Sequence, residues 1–212
     1  MTADPLAEAD QAALNARHAD KMRKHKAGKE KLLAGKSADK GLLIVHTGTG
    51  KGKTSAALGM VFRHIAYDWP VGIVQFIKAP SWETGEAKLL SRFPDLVTLH
   101  VMGEGFTWDT QDRERDMAVA RAAWDRSKEL ILDDRHRLVL LDELNIALRY
   151  DYLPAEEVVA FLRDEKPAGK HVVVTGRNAK PELIDIADLV TEMTLIKHPF
   201  RQGIKAQKGI EY

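Results

Sequence analysis

The chain has 212 residues, of which 44% are apolar and 30% charged, and its formal net charge is +1. This composition is ordinary for a globular protein. The near-neutral net charge produces no overall electrostatic field that would attract nucleic acid or a membrane. Cysteine is absent, which excludes disulfides, thiolate zinc sites and cysteine-ligated iron–sulfur clusters. No apolar stretch approaches the roughly 20 residues that span a bilayer, and the N-terminal stretch lacks the apolar core of a secretory signal. We therefore expect a soluble, cytoplasmic protein with no membrane or nucleic-acid partner.

Residues 1–40 differ in composition from the rest of the chain. They are rich in lysine and poor in large apolar side chains, which favours a solvated, partly disordered basic arm. Leu14, His18, Met22 and His25 recur at helical spacing, so a conditional helix stays open. An arm of this kind can close over an anionic ligand or touch nucleic acid non-specifically, and composition does not decide between the two.

From residue 41 onward, short apolar runs alternate with helical patterns, which predicts a single α/β domain over residues 41–212. Most of the runs are continuously apolar, as in parallel strands that are covered on both faces. Ligands of such sheets bind at the carboxyl ends of the strands. We predict strands at 41–46, 71–77, 96–102, 137–142, 171–176 and 188–196, and helices at 53–67, 86–93, 110–132, 154–165 and 180–187.

The stretch VHTGTGKGKTSAALG, residues 45–59, follows the first strand and opens the first helix of this domain. Its glycines let the backbone wrap around phosphate oxygens, Lys53 supplies a positive charge, and the Thr54 hydroxyl can ligate Mg²⁺. Thr47 stands where the usual phosphate-loop pattern has its first glycine. A glycine-rich turn without a ligand is the structural alternative. We expect the nucleotide to contact Gly48, Thr49, Gly50, Lys51, Gly52, Lys53, Thr54 and Ser55.

Asp142 and Glu143 end the apolar run RLVLLDE, as carboxylates end the partner strand of a nucleotide site. Alone this pattern is weak, because many strands end in an acidic helix cap. Together with the loop it predicts that Asp142 or Glu143 holds Mg²⁺ with Thr54 and that the ligand is a nucleoside triphosphate. The fold is then an α/β phosphate-loop NTPase-like, RecA-like domain with a mostly parallel central sheet of about six strands flanked by helices.

Further candidates follow the other strands. Phe106 and Trp108 lie in the glycine-containing loop GEGFTWDTQD, which precedes a helix whose expected cap is Asp109 or Thr110. Aromatic side chains at the ligand edge suggest contact with a large flat or apolar ligand, although plugging the core is an equal alternative. Arg177 follows the fifth strand and either touches the nucleotide or lies in a solvent-exposed turn. The loop KAPSWETGE offers Lys78, Trp82 and Glu86 at the same edge.

The chain resembles the ATP:corrinoid adenosyltransferase family of the phosphate-loop type. The resemblance covers Gly41 to Tyr212 and is carried by HTGTGKGKTSAALG, VQFIK, GEGFTW, LLDELNIAL, YDYL, VVVTGRNA, ELIDIADLVTEM and KHPFRQGIKAQKGIEY. Thr47 then ceases to be anomalous, because the family also has threonine there. The C-terminal residues Arg201, Lys205 and Gln207 match family positions without an assigned contact.

The resemblance implies a reaction at the ribose of ATP. The cobalt of a corrinoid, reduced to cobalt(I), attacks the 5′ carbon, and the whole triphosphate leaves, stabilised by Lys51, Lys53, loop N–H groups and Mg²⁺. Phe106 and Trp108 match the residues that displace the lower axial ligand of cobalt, so we expect them to be catalytic together with Lys53. The basic arm is expected to cover the corrinoid, and an external donor, flavodoxin or reduced flavin, to supply the electron. The family typically forms homodimers.

Two other functions share parts of this pattern. An ATPase or kinase with the same loop would cleave the terminal phosphate and would need a base or an arginine finger there. An ATP-regulated binding module whose arm touches nucleic acid would bind in a salt-sensitive way and would have no affinity for corrinoids. The aromatic loop is unexplained by either function.

Overall fold

The computed structural model describes residues 5–77, 84–103 and 112–211, with side chains given from residue 10 onward. The chain divides into two compact units, Met1–Asp39 and Lys40–Tyr212. In the first unit, Pro5–Ala34 forms one helix, α1, which is the alternative that the helical spacing left open. Ion pairs within its turns join Asp20 to Arg23 at 2.5 Å and to Lys24 at 2.8 Å. None of the described helices is both long and apolar enough to cross a membrane.

The second unit is built of strands and helices in alternation. Its strands are β1 Leu43–Thr47, β2 Val71–Gln75, β3 Val97–Val101, β4 Leu138–Asp142, β5 His171–Thr175 and β6 Leu189–Glu192. Its helices, numbered on from α1, are α2 Lys53–Ile65, α3 Gly85–Leu90, α4 Arg113–Leu132, α5 Leu144–Arg149, α6 Ala155–Asp164 and α7 Pro181–Ile186. A short 3₁₀ helix follows at Pro199–Gln202.

The six strands form one sheet in the order β3-β2-β4-β5-β1-β6, and every neighbouring pair is parallel. β5 therefore lies between β1, which leads into the phosphate loop, and β4, which ends in the predicted carboxylates. This insertion is the RecA-like arrangement. The predicted α/β fold with a parallel six-stranded sheet is confirmed, and it brings the carboxyl ends of β1, β2, β4 and β5 to one edge.

Alternate side chains of the central strands point to opposite faces and build two apolar clusters. Ile44, Ile73 and Leu140 pack with α2 on one face. Val45, Val74 and Leu141 pack with α4, α5, α6 and α7 on the other face. Both faces are covered, which explains why these strands are continuously apolar rather than alternating.

Several predicted element bounds require correction. β6 ends at Glu192 rather than at residue 196; it is an edge strand that pairs with β1 alone, and all four of its residues are exposed. The six-residue helix α5 was not predicted, since it is too short to show a helical period. α4 begins after Asp112, whose carboxylate accepts the Arg115 N–H at 3.1 Å, so its cap is neither Asp109 nor Thr110. Pro154 is the residue before α6 and not a residue of its first turn.

Candidate nucleotide site

The loop between β1 and α2 packs its backbone against the segment that follows β6. The Gly50 N–H donates to the Met193 carbonyl at 2.6 Å, and the Met193 N–H donates to the Thr47 carbonyl at 2.9 Å. A Cβ atom at Gly48 or Gly50 would lie 2.5 or 2.7 Å from the Met193 carbonyl oxygen. Glycine at these two positions is therefore required by close approach of backbone, and Gly48 also has a φ of +95°.

Helix α2 begins where the loop ends. Gly52 caps it with a φ of +105°, and its carbonyl accepts the Ala56 N–H at 2.8 Å. The N–H groups of the first turn have no partner inside the helix and carry the positive end of its dipole, so they suit an anion. Thr49, Lys51 and Ser55 are exposed around this opening.

Lys53, the lysine of the motif, is 7% exposed. Its ammonium curls back onto the loop and donates to the carbonyls of Gly48 at 2.9 Å and Gly50 at 2.6 Å. Burial lowers the pKa of Lys53, while the nearby carboxylate of Glu143 opposes that shift and Arg177 adds to it. The side chain is thus a desolvated donor inside the loop, where phosphate oxygens can replace the two carbonyls.

Asp142, the last residue of β4, is fully buried and is held from three directions. Its Oδ1 accepts hydrogen bonds from the hydroxyls of Thr54 and Thr175, each at 2.8 Å. Its Oδ2 accepts the Gln75 amide at 3.1 Å. The structure therefore brings together the hydroxyl and the carboxylate that the sequence assigned to a metal.

Glu143, the next residue, caps α5 in a left-handed conformation with a φ of +64°. Its N–H donates to the Thr175 hydroxyl at 2.9 Å, so Thr175 joins the backbone of Glu143 to the carboxylate of Asp142. A Cβ atom on Gly176 would lie 3.1 Å from Glu143 Oε2 and 2.8 Å from Asn145 Cβ. Gly176, with a φ of +127°, thereby leaves room for the Glu143 carboxylate beside β5.

Gln75 and Thr175 were not among the predicted site residues. Each is the polar last residue of an otherwise apolar strand, VGIVQ or HVVVT, and that position was the available signal. Gln75 is paired in register with Asp142, so its amide reaches the carboxylate directly across the sheet. Asn145 was also missed; its amide donates to the Gly176 carbonyl at 3.1 Å.

The other predicted residues differ in what surrounds them. Lys51 pairs with the carboxylate of Glu211, near the C-terminal end. Arg177 is exposed directly after β5, at the same edge as the loop. Glu86 lies half-buried in the first turn of α3. The candidates Phe106 and Trp108, and with them Lys78 and Trp82, lie outside the described residues.

The donor set at Asp142 fits Mg²⁺. Carboxylate and hydroxyl oxygens are hard ligands of the kind this ion prefers, and Mg²⁺ usually completes its shell with phosphate oxygens and water. Within residues 5–77, 84–103 and 112–211, no three His, Asp or Glu side chains converge on one point. An ion held by Thr54 and Asp142, with Glu143 nearby, would therefore take its remaining ligands from a bound nucleotide and solvent.

A surface cavity of about 560 Å³ is lined by α4, by the segment between α5 and α6, and by the start of α7. No residue of the stretch 47–55 lines it, so it is separate from the phosphate loop. One wall contains an ion pair between Lys180 and Asp151 at 3.0 Å. Its other lining residues include Met117, Arg121, Tyr152 and Glu182.

Known proteins are similar to this chain over nearly its whole length. A family model described as ATP:corrinoid adenosyltransferase BtuR/CobO/CobP matches residues 39–212. A protein from Sinorhizobium sp. named corrinoid adenosyltransferase is 60% identical over 93% of this chain and 92% of its own length. A protein of the same name from Pseudomonas aeruginosa is 52% identical, over 92% of this chain and 96% of its own. Corrinoid adenosyltransferase CobA from Salmonella typhimurium is 45% identical, over 82% of this chain and 87% of its own. The chain belongs to the ATP:corrinoid adenosyltransferase family.

Proposed function

We propose that this enzyme transfers the 5′-deoxyadenosyl group of ATP to the cobalt(I) of a corrinoid, in the biosynthesis or salvage of adenosylcobalamin. The observation that carries the proposal is the family match over residues 39–212, whose sequence includes the phosphate loop, Asp142 and Glu143. In the reaction a cobalt–carbon bond forms with the electron pair of cobalt(I). The bond between the 5′ carbon and oxygen breaks, and triphosphate leaves with that bond's electron pair.

The residues of the loop act on the leaving group. Lys53, already desolvated in the loop, exchanges its two carbonyl acceptors for phosphate oxygens, and Lys51 adds a second charge at the opening. Preorganised donors of this kind stabilise charge as it develops on the departing triphosphate. Holding the 5′ carbon in line with cobalt contributes on the order of 7–11 kcal/mol by removing encounter entropy. No protein nucleophile or general base is needed.

Mg²⁺ belongs to this proposal as the partner of the triphosphate. Thr54 and Asp142, with Glu143 as the further carboxylate, would hold it, and the bound ion supplies charge neutralisation. Thr175 and Gln75 fix the Asp142 carboxylate, each through a hydrogen bond to one of its two oxygens.

The corrinoid side of the reaction is proposed from the resemblance. Phe106 and Trp108 remove the lower ligand of cobalt, the N-terminal arm of residues 1–40 covers the corrinoid, and reduced flavodoxin or free reduced flavin supplies the electron. The 560 Å³ cavity supports a place for a second substrate, because α4, which lines it, is the helix that follows the predicted aromatic loop in the sequence. We further propose a homodimer in the cytoplasm.

One anaerobic reaction tests the function. Protein, MgATP and a chemically reduced corrinoid are mixed, the visible spectrum is followed, and phosphorus NMR identifies the product from the same tube. We expect a light-sensitive adenosylcorrinoid spectrum and intact triphosphate, both absent with Lys53→Met. ADP and phosphate formed without corrinoid and without a spectral change would instead identify a hydrolase or kinase that cleaves the terminal phosphate.

A further inference from the structure

The C-terminal segment touches the phosphate loop at two consecutive loop residues. At the start of the segment the Met193 carbonyl accepts the Gly50 N–H, and near its end the Glu211 carboxylate pairs with the Lys51 ammonium. Both ends of the segment 193–211 thus contact the phosphate loop. The function proposed above gives a role to Lys51 but none to Glu211.

The turn that presents Glu211 is ordered by its own backbone. The N–H groups of Ile210 and Glu211 both donate to the Gln207 carbonyl, at 3.1 and 2.8 Å. The Glu211 side chain is only 18% exposed, whereas that of Lys51 is 59% exposed. The carboxylate is therefore the more buried partner, and the lysine extends from the loop opening to meet it. The Lys51 ammonium in turn keeps the pKa of Glu211 below its usual range, with His198 adding to the effect.

A carboxylate on Lys51 conflicts with a triphosphate in the loop. Both are anions that need the same ammonium, and several phosphate charges next to an ionised Glu211 repel it. An ion pair whose ammonium is exposed to solvent, as that of Lys51 is, is weak enough to be exchanged for a multiply charged ligand. The Glu211 carboxylate and a bound triphosphate therefore compete for the Lys51 ammonium.

We infer that Glu211 is a positioning residue for Lys51: its carboxylate holds the ammonium at the opening of the loop and is displaced by the incoming triphosphate. The inference rests on the proposed triphosphate site and deepens it. Glu211 competes with the substrate, so it lowers the affinity for triphosphate and eases the release of triphosphate after transfer.

The test measures binding of inorganic tripolyphosphate with Mg²⁺ to the full chain by calorimetry, without corrinoid. The proteins are wild type, Glu211→Gln, Lys51→Met and the double variant. We expect Glu211→Gln to tighten binding about two- to five-fold, which is the range an exposed ion pair allows. Lys51→Met weakens binding, and adding Glu211→Gln to it changes nothing, because the competition acts only through Lys51. A purely structural role for Glu211 would not produce this coupling.

Glu165→Gln is the matched control, because it removes the same charge from an exposed residue just after α6. Its affinity should equal that of wild type. If Glu211→Gln binds no more tightly than wild type, or gains equally with Lys51→Met, the inference is wrong. If Lys53→Met binds tripolyphosphate as tightly as wild type, or wild type does not bind it, the proposed nucleotide site fails and the inference fails with it.

Discussion

Two buried lysines lie at opposite edges of the sheet and are alike in burial, in hydrogen bonding and in the direction of their pKa shifts. Lys53, at the carboxyl edge, is 7% exposed, and Lys170, at the amino edge, is 5% exposed. Each donates from its ammonium to two backbone carbonyls, those of Gly48 and Gly50 for Lys53 and those of Asp133 and His136 for Lys170. Burial is the main cause that lowers the pKa of both.

The two lysines differ in whether backbone N–H groups that could bind an anion lie near the ammonium. Lys53 is the first residue of α2, after a loop with two glycines at positive φ, and the N–H groups of the first turn of α2 have no partner inside the helix. Lys170 lies among carbonyls that end a helix and a turn, and Lys166 beside it likewise donates to the carbonyls of Gly41 and Lys170. A buried lysine with a lowered pKa is therefore no mark of a site unless backbone donors converge with it.

The largest effect is expected at Lys53. Lys53→Met keeps the length of the side chain and removes the charge that we propose faces the triphosphate. We expect affinity for MgATP to fall about 100-fold, in the range of losing hydrogen bonds from a charged donor. Calorimetric titration measures it, and near-wild-type affinity would mean that this lysine caps carbonyls only, as Lys170 does.

Lys170→Met makes the same chemical change at the other edge. It leaves the carbonyls of Asp133 and His136 without their donor, so we expect the free energy of unfolding to fall by about 1–3 kcal/mol. Denaturant unfolding measures this loss. The affinity for MgATP should stay within about two-fold of wild type in the folded protein, and a ten-fold loss would break the contrast between the edges.

The sequence predicted the buried strands and the phosphate loop well, and the edge strand less well. Continuous apolar runs are enough to predict buried parallel strands, and the glycine-lysine-threonine motif is enough to place Lys53 and Thr54. Leu189 and Val190 are as apolar as residues of the buried strands, yet they are 47% and 37% exposed in β6, which lies at the sheet edge. The position of a strand in the sheet depends on tertiary pairing, which its own residues do not encode.

The same limit applies to the site. Asp142 was predicted because a carboxylate ends an apolar strand, but its partners Gln75 and Thr175 come from the two neighbouring strands. Only the strand order and register bring these three side chains together. The contact of Glu211 with Lys51 likewise depends on the path of a C-terminal segment without regular strands or long helices.

A smaller effect at the carboxyl edge is expected for Thr175. Thr175→Val keeps the shape of the side chain but removes the hydroxyl that joins Asp142 to the Glu143 N–H. We expect the factor by which Mg²⁺ increases ATP affinity to fall about ten-fold, as for other partners that orient a metal ligand. Calorimetry with Mg²⁺ and with EDTA gives this factor, and affinity in EDTA should not change.

Thr175→Ser should restore the Mg²⁺ dependence, because it keeps the hydroxyl. Thr98→Val is the matched control at the amino side, where the Thr98 hydroxyl contacts His136 Nε2 at 3.0 Å. An equal loss of the Mg²⁺ factor in Thr98→Val would show that any lost hydroxyl in the sheet has this effect, and the role of Thr175 would be wrong.

The smallest effect is a pH dependence at the amino edge. His136 is buried between the Thr98 hydroxyl and the Asp133 carboxylate, 3.1 Å from its Nδ1. Burial lowers the pKa of His136 below its ordinary value of 6.5, and Lys170, Arg135 and His100 add to the shift while Asp133 opposes it. The unfolded chain therefore binds the proton more readily, and the free energy of unfolding falls as pH drops below about 6.5.

Between pH 7 and 5.5, above the range in which carboxylates titrate, we expect the free energy of unfolding of wild type to fall. His136→Gln keeps a polar side chain without a titrating group, so its unfolding free energy should depend less on pH in this window. Denaturant unfolding at several pH values measures the two slopes. The variant keeps some dependence, because burial also lowers the pKa of His100. Identical slopes for wild type and His136→Gln would show that His136 does not take up a proton on unfolding. As a control, Lys53→Met should have the same slope of unfolding free energy against pH as wild type.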